Sequence, residues 1–267
     1  MINLISSILS NPSKWPCPPS QTSICSFPFP ILYFGDECAY KKSSTRVVTL
    51  SLNPSDVEFK NDRFPNVTGK VSNTAADFKS AFDNYFKADP YWTWFNYYEH
   101  ALNAMGASYS GSSSSDAKPD TALHIDLVPV ATKPVWGGLT KTERSCLLDT
   151  YRTDLVHLID NLDPHCILTS ISQNNLEYFL SAIEAKITSR SYYTKGGKIV
   201  IAVYNVSCNG RALHTIIAGI NWNTPFAKIS KVEKQSIIKH ITDSTHNLIA
   251  SIAQTCDPRI LYPNKMI

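Results

Sequence analysis

No Cys-x-x-Cys pair occurs among the seven cysteines of this 267-residue chain, no Gly-rich phosphate loop follows any apolar run, and no apolar stretch approaches a membrane span. The first absence argues against structural zinc and against an iron–sulfur cluster. An odd cysteine count in a chain of this length does not make a disulfide framework either. The second absence weakens a nucleotide-binding α/β reading. The third leaves nothing of the roughly 20 apolar residues that a spanning helix needs. Residues 1–9 lack a basic n-region and Pro12 soon follows, so a short amphipathic helix fits them better than a signal peptide. The sequons at Asn66 and Asn205 mean little without an export signal, and the chain reads as cytoplasmic. Charge is also scarce: 18% of residues are charged and the net charge is +3, which does not announce nucleic-acid binding. With 43% apolar residues the chain can bury one large core.

Two strand-and-turn passages stand out. Arg46-Val47-Val48-Thr49-Leu50-Ser51-Leu52 reads as a buried strand, and Asn53-Pro54-Ser55 forces a turn at its carboxyl end. Ala212 to Ile220 reads as a second strand that runs into Asn221-Trp222-Asn223-Thr224-Pro225-Phe226. Open α/β sheets keep their chemistry at such strand ends, so the two loops are expected to form one cleft.

The rest of the chain alternates. Residues 1–40 form an amino-terminal arm whose six prolines, Pro12 to Pro30, predict irregular structure with little chemistry. The α/β domain spans 41–267. Residues 56–76 are too irregular for a regular element and serve equally as a substrate loop or a surface connection. Phe78, Phe82, Tyr85 and Phe86, then Trp92, Phe95, Tyr98 and Leu102, fall at helical spacing over 74–106 with a break at Asp89-Pro90, and most of these rings are core. A flexible loop over 110–116 precedes a strand over 122–130 that puts His124 and Asp126 on one face, as a satisfied pair or as cleft residues. Thr140 and Glu143 form a capping box for a helix ending at Asp163-Pro164. A third strand over 165–171, a helix from Asn174 or Asn175, strands over 198–205 and 211–220, and a long helix over 229–255 complete the pattern. Strands alternating with helices predict a mainly parallel sheet covered on both faces, a single-domain three-layer αβα fold.

The two loops resemble the uracil-DNA glycosylase superfamily, in the branches that carry Asn-Pro in the first motif, here Ser51-Leu52-Asn53-Pro54-Ser55. Ser51 stands where the family usually has Gly, and the late loop can be set against its second motif in more than one register. The resemblance implies a DNA glycosylase acting on double-stranded DNA, without cofactor or metal, as a monomer. It implies Asn53 and Asn223 as catalytic residues. Pro54, Ser55, Phe59, Phe64, Asp126, Ser170, Trp222, Thr224 and Phe226 would contact the substrate, Ser170 and Ser172 at the base and Trp222 or Phe226 as the wedge that replaces it in the duplex. Lys60, Lys70, Lys133, Lys228, Lys231 and Lys234 are candidate phosphate contacts, although scattered lysines are usually solvated surface.

An Asn suits part of this chemistry, since its carbonyl accepts from a water while its amide donates elsewhere. No residue matches the Asn that reads uracil in the most specific members, which leaves the base open. The chain also resembles the bacterial anti-phage glycosylases of this superfamily that remove glucosylated hydroxymethylcytosine, with the Tyr91–Tyr98 region and the 60s loop able to line an enlarged pocket. A uracil or mismatched-thymine repair enzyme and a non-catalytic module that reads modified DNA are the competing expectations.

Overall fold

The computed structural model describes residues 1–10, 29–56, 58, 63–64, 67, 74–111, 118–208, 214–219, 226, 229–239 and 241. The elements are α1 (Ile2–Leu9), α2 (Glu37–Lys42), β1 (Val47–Ser51), α3 (Ala75–Asp83), a 3-10 turn Tyr85–Lys87, α4 (Trp92–Ala104), β2 (Ala107–Ser108), β3 (Asp120–Thr121), β4 (Leu123–Asp126), a 3-10 turn Trp136–Gly138, α5 (Lys141–Leu162), β5 (Cys166–Thr169), α6 (Gln173–Ala182), β6 (Lys186–Lys195), β7 (Lys198–Ser207) and β8 (His214–Gly219). A helix over 231–239 follows and is called α7.

Six strands form one sheet in the order β4-β1-β5-β8-β7-β6. The β1–β4, β1–β5 and β5–β8 pairs are parallel, and β7 and β6 extend the β8 edge antiparallel. The fold is therefore α/β, with a mostly parallel mixed sheet flanked by helices. Every residue of β1, β4 and β5 is buried, as expected of strands covered on both faces.

Local chemistry explains the helix starts. Thr74 and Asp77 close a capping box on α3, Thr140 and Glu143 close the expected one on α5, and Ser172 caps α6 through the Asn175 amide. Helix α5 stops where Asp163 turns left-handed, at φ 45°, as its Asp-Pro sequence predicts. The aromatic stripe is indeed largely core: Phe78, Phe82, Tyr85, Phe86, Phe95 and Tyr98 are all buried. Its first helix ends at Asp83, however, and the 3-10 turn intervenes before Pro90, so the break comes earlier than Asp89-Pro90 implies.

Two expectations need correction. The arm is not wholly irregular cover. Phe29, Ile31, Leu32, Tyr33 and Phe34 are core residues, and Phe34 exchanges backbone hydrogen bonds with His124 at 2.8 and 3.0 Å, which seals the outer edge of β4. Strand β6 lies where no strand was expected, since its exposed, polar residues give no apolar run to read. The signal that was available is Gly196-Gly197, both at positive φ (56° and 74°), joining Lys195 to its partner Lys198 in a two-residue hairpin. Residues 11–28, 112–117 and 242–267, and with them the flexible loop's centre and the end of the long helix, lie outside the described residues.

One buried carboxylate ties β1 to its neighbours. Asp120 accepts from the Ser44 and Thr45 amides at 2.8 and 2.9 Å and from the Ser44 hydroxyl, which fixes the chain just before it enters β1. Hydrogen bonds to a charged group contribute about 1.5–3 kcal/mol each. Asp120→Ala is expected to destabilise the protein by roughly 3 kcal/mol in urea titration, whereas a conventional exposed carboxylate such as Asp149 changed to Ala shifts the midpoint little.

Candidate functional site

The parallel strands β4, β1 and β5 end side by side, and a cavity of about 770 Å³ opens at their carboxyl ends. Its lining takes Ser51 to Asp56 after β1, His124 and Asp126 from β4, Ser170 to Ser172 after β5, and Tyr91, Trp94 and Phe95 from the α4 region. Asn53, Pro54, Ser55, Asp126 and Ser170, five of the residues expected from sequence, thus meet in one place.

Asn53 is held by its amide. Nδ2 donates toward the Val130 carbonyl at 3.4 Å, the Thr132 hydroxyl at 3.2 Å and its own neighbour's carbonyl, that of Pro54, at 3.1 Å. Carbonyl oxygens only accept, so the nitrogen must face them. Oδ1 is then the atom that Asn53 can present to a ligand or water. The β1 and β4 exits are zipped together up to this point, with Leu127 N donating to Ser51 O at 3.0 Å and Val128 N to Leu52 O at 2.9 Å.

Beneath the cavity runs a buried polar chain. The Tyr109 hydroxyl meets Thr49 Oγ1 at 2.6 Å, Thr49 Oγ1 meets His124 Nδ1 at 2.7 Å, and His124 Nε2 lies 3.6 Å from Asp126 Oδ1. That last separation exceeds a hydrogen bond. Asp126 Oδ1 and the Ser170 Oγ, in residues 3% and 6% exposed, have no hydrogen-bond partner among the described residues. Buried polar atoms are nearly always satisfied, so two orphans on one cavity wall are groups that a water or a ligand would partner.

Glu58, Arg144, Trp136 and Asn175 also line the cavity, and none of these four was expected from sequence to act there; Tyr91 and Trp94, from the region expected to line an enlarged pocket, line it too. Glu58 is 4% exposed; its Oε2 accepts from the Tyr85 hydroxyl and lies 3.5 Å from Arg63 Nη1. Burial pushes its carboxyl up to about 7, the nearby Asp126 charge adding to the rise and Tyr85 and Arg63 opposing it. Isolated carboxylates in irregular loops carry no sequence signal, which is why Glu58 was missed and its neighbour Phe59 was chosen.

Other expected residues sit elsewhere. Phe64 is fully buried in the aromatic core, edge-on to Phe29 and tilted 33° against Tyr85, and does not reach the cavity. Phe226, at φ 52°, is also fully buried, packed edge-on to Tyr98 and tight against Gly219, where a Cβ would approach the ring to 3.1 Å. As placed, neither ring is exposed to stack on or displace a base, because the core needs their apolar surface. Lys234 is likewise no surface cation: its Nζ donates to Tyr97 O at 3.0 Å, and burial brings the ammonium down to about 8. Lys133 and Lys231 are exposed. Phe59, Trp222, Asn223, Thr224, Lys60, Lys70 and Lys228 lie outside the described residues.

The start of α7 is occupied as well, since Ser230 and Glu233 hydrogen-bond each other's amides there. No group of three or more His, Cys, Asp or Glu side chains that could hold a metal occurs among the described residues. No described helix is long and apolar enough to cross a membrane. No known protein-family model matches the chain, and no curated protein is detectably similar to it in sequence.

The raised Glu58 carboxyl links the cleft to stability. A folded pKa above the usual 4.5 means that the neutral form is favoured by folding, so its contribution is intact below about 4.5 and is lost as pH rises through about 7. The size follows from about 1.36 kcal/mol per unit and is roughly 3 kcal/mol. Unfolding free energy measured from pH 5 to 8 is expected to fall by that order in the parent protein and to stay nearly flat over the same window in Glu58→Gln.

Proposed function

We propose that the chain is a DNA glycosylase of the uracil-DNA glycosylase type, with a three-layer αβα fold, that flips a modified base into the cleft and hydrolyses its N-glycosidic bond. The observation that carries this reading is the convergence of Asn53, Asp126 and Ser170 at three adjacent strand ends, with two of the three holding unpartnered polar atoms. Water adds to the anomeric carbon as the bond to the base breaks; the bonding pair leaves with the base nitrogen, and the proton shed by the water balances the one the base takes up. Asn53 cannot take a proton, but its Oδ1 can orient that water. Carboxylates at the cleft favour the positive charge that builds on the sugar. Glu58, which holds a proton near neutrality, is a group that could pass one to the departing base.

Asp126 bears on which base. A carboxylate oxygen without a donor calls for one, and the exocyclic 4-amine of a cytosine supplies it, whereas uracil and thymine have a carbonyl oxygen at that position and only their N3–H to donate. The cavity volume is in the range that takes ligands larger than a single base, about 300–1,000 Å³. Tyr91 and Trp94 with Asp56 and Glu58 combine ring faces and acceptors of the kind that suit a hydroxyl-rich substituent. These features favour a glucosylated hydroxymethylcytosine over deaminated bases, and with it a role in defence against phage DNA.

Base release, scored as abasic sites, should be measured on duplexes carrying uracil, a thymine mismatch, hydroxymethylcytosine and its glucosylated form. Release from the glucosylated duplex is expected, with release from uracil or the mismatch pointing to repair instead. Asn53→Ala is expected to abolish release while costing about 1 kcal/mol of stability through its lost amide hydrogen bonds. Duplex binding with no release from any substrate would replace the enzyme by a binding module.

A further inference from the structure

The β6–β7 hairpin is the longest ribbon in the sheet, and its outer strand, β6, is the least covered. Between 186 and 198 it holds four cations, Lys186, Arg190, Lys195 and Lys198, and no carboxylate. Eight of the ten β6 residues are exposed and the remaining two only half-buried, so no helix among the described residues shields either face of that strand. One or two lysines would suffice to blunt an edge strand against aggregation. The direction of the ribbon decides what the rest can do. Strand β8 runs parallel to β5 and therefore ends at the cleft side of the sheet, and Gly219, its last residue, pairs with Ile201. Strand β7 enters antiparallel from that side, so Lys198 and the Gly196-Gly197 turn project three residues past the end of β8, about 10 Å at 3.3 Å per residue.

With about 4.8 Å between strands, β7 and β6 stand roughly 10 and 14 Å from β5, whose end carries Ser170 in the cleft. Phosphates repeat every 3.4 Å along a DNA strand, so these offsets correspond to about three to four nucleotides. The tip is also braced. Lys195 Nζ bonds both carboxylate oxygens of Glu233 at 2.9 and 3.0 Å, which ties the turn to the first turn of α7 and leaves Lys198, among the described residues, as the cation without a carboxylate at the end of the ribbon.

We propose that the hairpin tip is a second contact with duplex DNA, in which Lys198, beside the Glu233-braced Lys195, binds a backbone phosphate a few nucleotides from the one whose base occupies the cleft. This builds on the glycosylase reading for the nucleotide in the cleft, but the tip's contact is measurable without cleavage. Lys186, at the far end of β6, serves as the internal control, since it lies at the opposite end of a ten-residue strand and should touch no phosphate.

The test is the salt dependence of binding to a fluorescent duplex that contains no cleavable base. Each phosphate contact contributes about 0.9 to the slope of log affinity against log salt. The double variant Lys195→Gln, Lys198→Gln is expected to lower that slope by about 1, Lys186→Gln to leave it unchanged, and single-turnover base release at saturating protein to match the parent. An unchanged slope in the double variant overturns the proposal, as does an equal loss from Lys186→Gln. A parent dimer that the double variant abolishes, with its DNA affinity unaltered, would assign the ribbon to a second copy of the chain and also overturn it. A parent that releases no base but loses slope in the double variant keeps the tip contact while the glycosylase reading fails.

Discussion

The structure depends on burying β1 between two parallel neighbours without leaving its polar groups unsatisfied. All five of its residues are inside, yet Thr49 and Ser51 carry hydroxyls. The fold meets this demand with tyrosines. Thr49 joins Tyr109 and His124, while the Leu50 carbonyl takes the Tyr98 hydroxyl and Thr169 Oγ1, each at 2.9 Å. These bonds tie α4, β4 and β5 to the central strand in a low-dielectric setting where each is strong and its loss is costly. They also set the floor of the cleft, because His124 and Ser51 line it.

From that floor the site follows with little freedom. The ladder between β1 and β4 continues two residues beyond the strands, and the Asn53 amide closes it against Val130 and Thr132. Asn53 is therefore positioned by sheet geometry rather than by a loose loop, which suits the proposed role of orienting a water to within a fraction of an ångström. Asp126 leaves the same sheet on the neighbouring strand. His124 Nε2 stands 3.6 Å from the orphan oxygen of Asp126, beyond hydrogen-bond distance.

Much of this was legible in the sequence where local rules decide. The Val-Val-Thr-Leu run and the Asn-Pro-Ser turn placed β1 and the cleft loop, and the Thr140–Glu143 spacing placed a helix start to the residue. The failures are of a different kind. Phe64 and Phe226 look like the other aromatics in irregular stretches, and only tertiary packing shows that both rings are needed in the core. Glu58 reaches the cleft from a segment without period or motif. Strand β6 escaped notice because an exposed ribbon has no apolar alternation, and its two glycines were the sole local sign.

The charge distribution joins these observations. A net charge of +3 conceals a division of labour: Asp56, Glu58 and Asp126 gather at the cleft opposite only Arg144 among its lining residues, while cations crowd the uncovered ribbon at the other edge of the sheet. An acidic cleft repels phosphate, so under the proposed reading a duplex could not be held by the site itself. Only an extruded, donor-bearing base would find the cleft favourable, and the backbone must be gripped elsewhere. Selectivity for an amine-bearing base and affinity for DNA would then arise from separate surfaces: desolvated acceptors choose the base, and solvent-exposed lysines, whose effect is screened by salt, hold the strand.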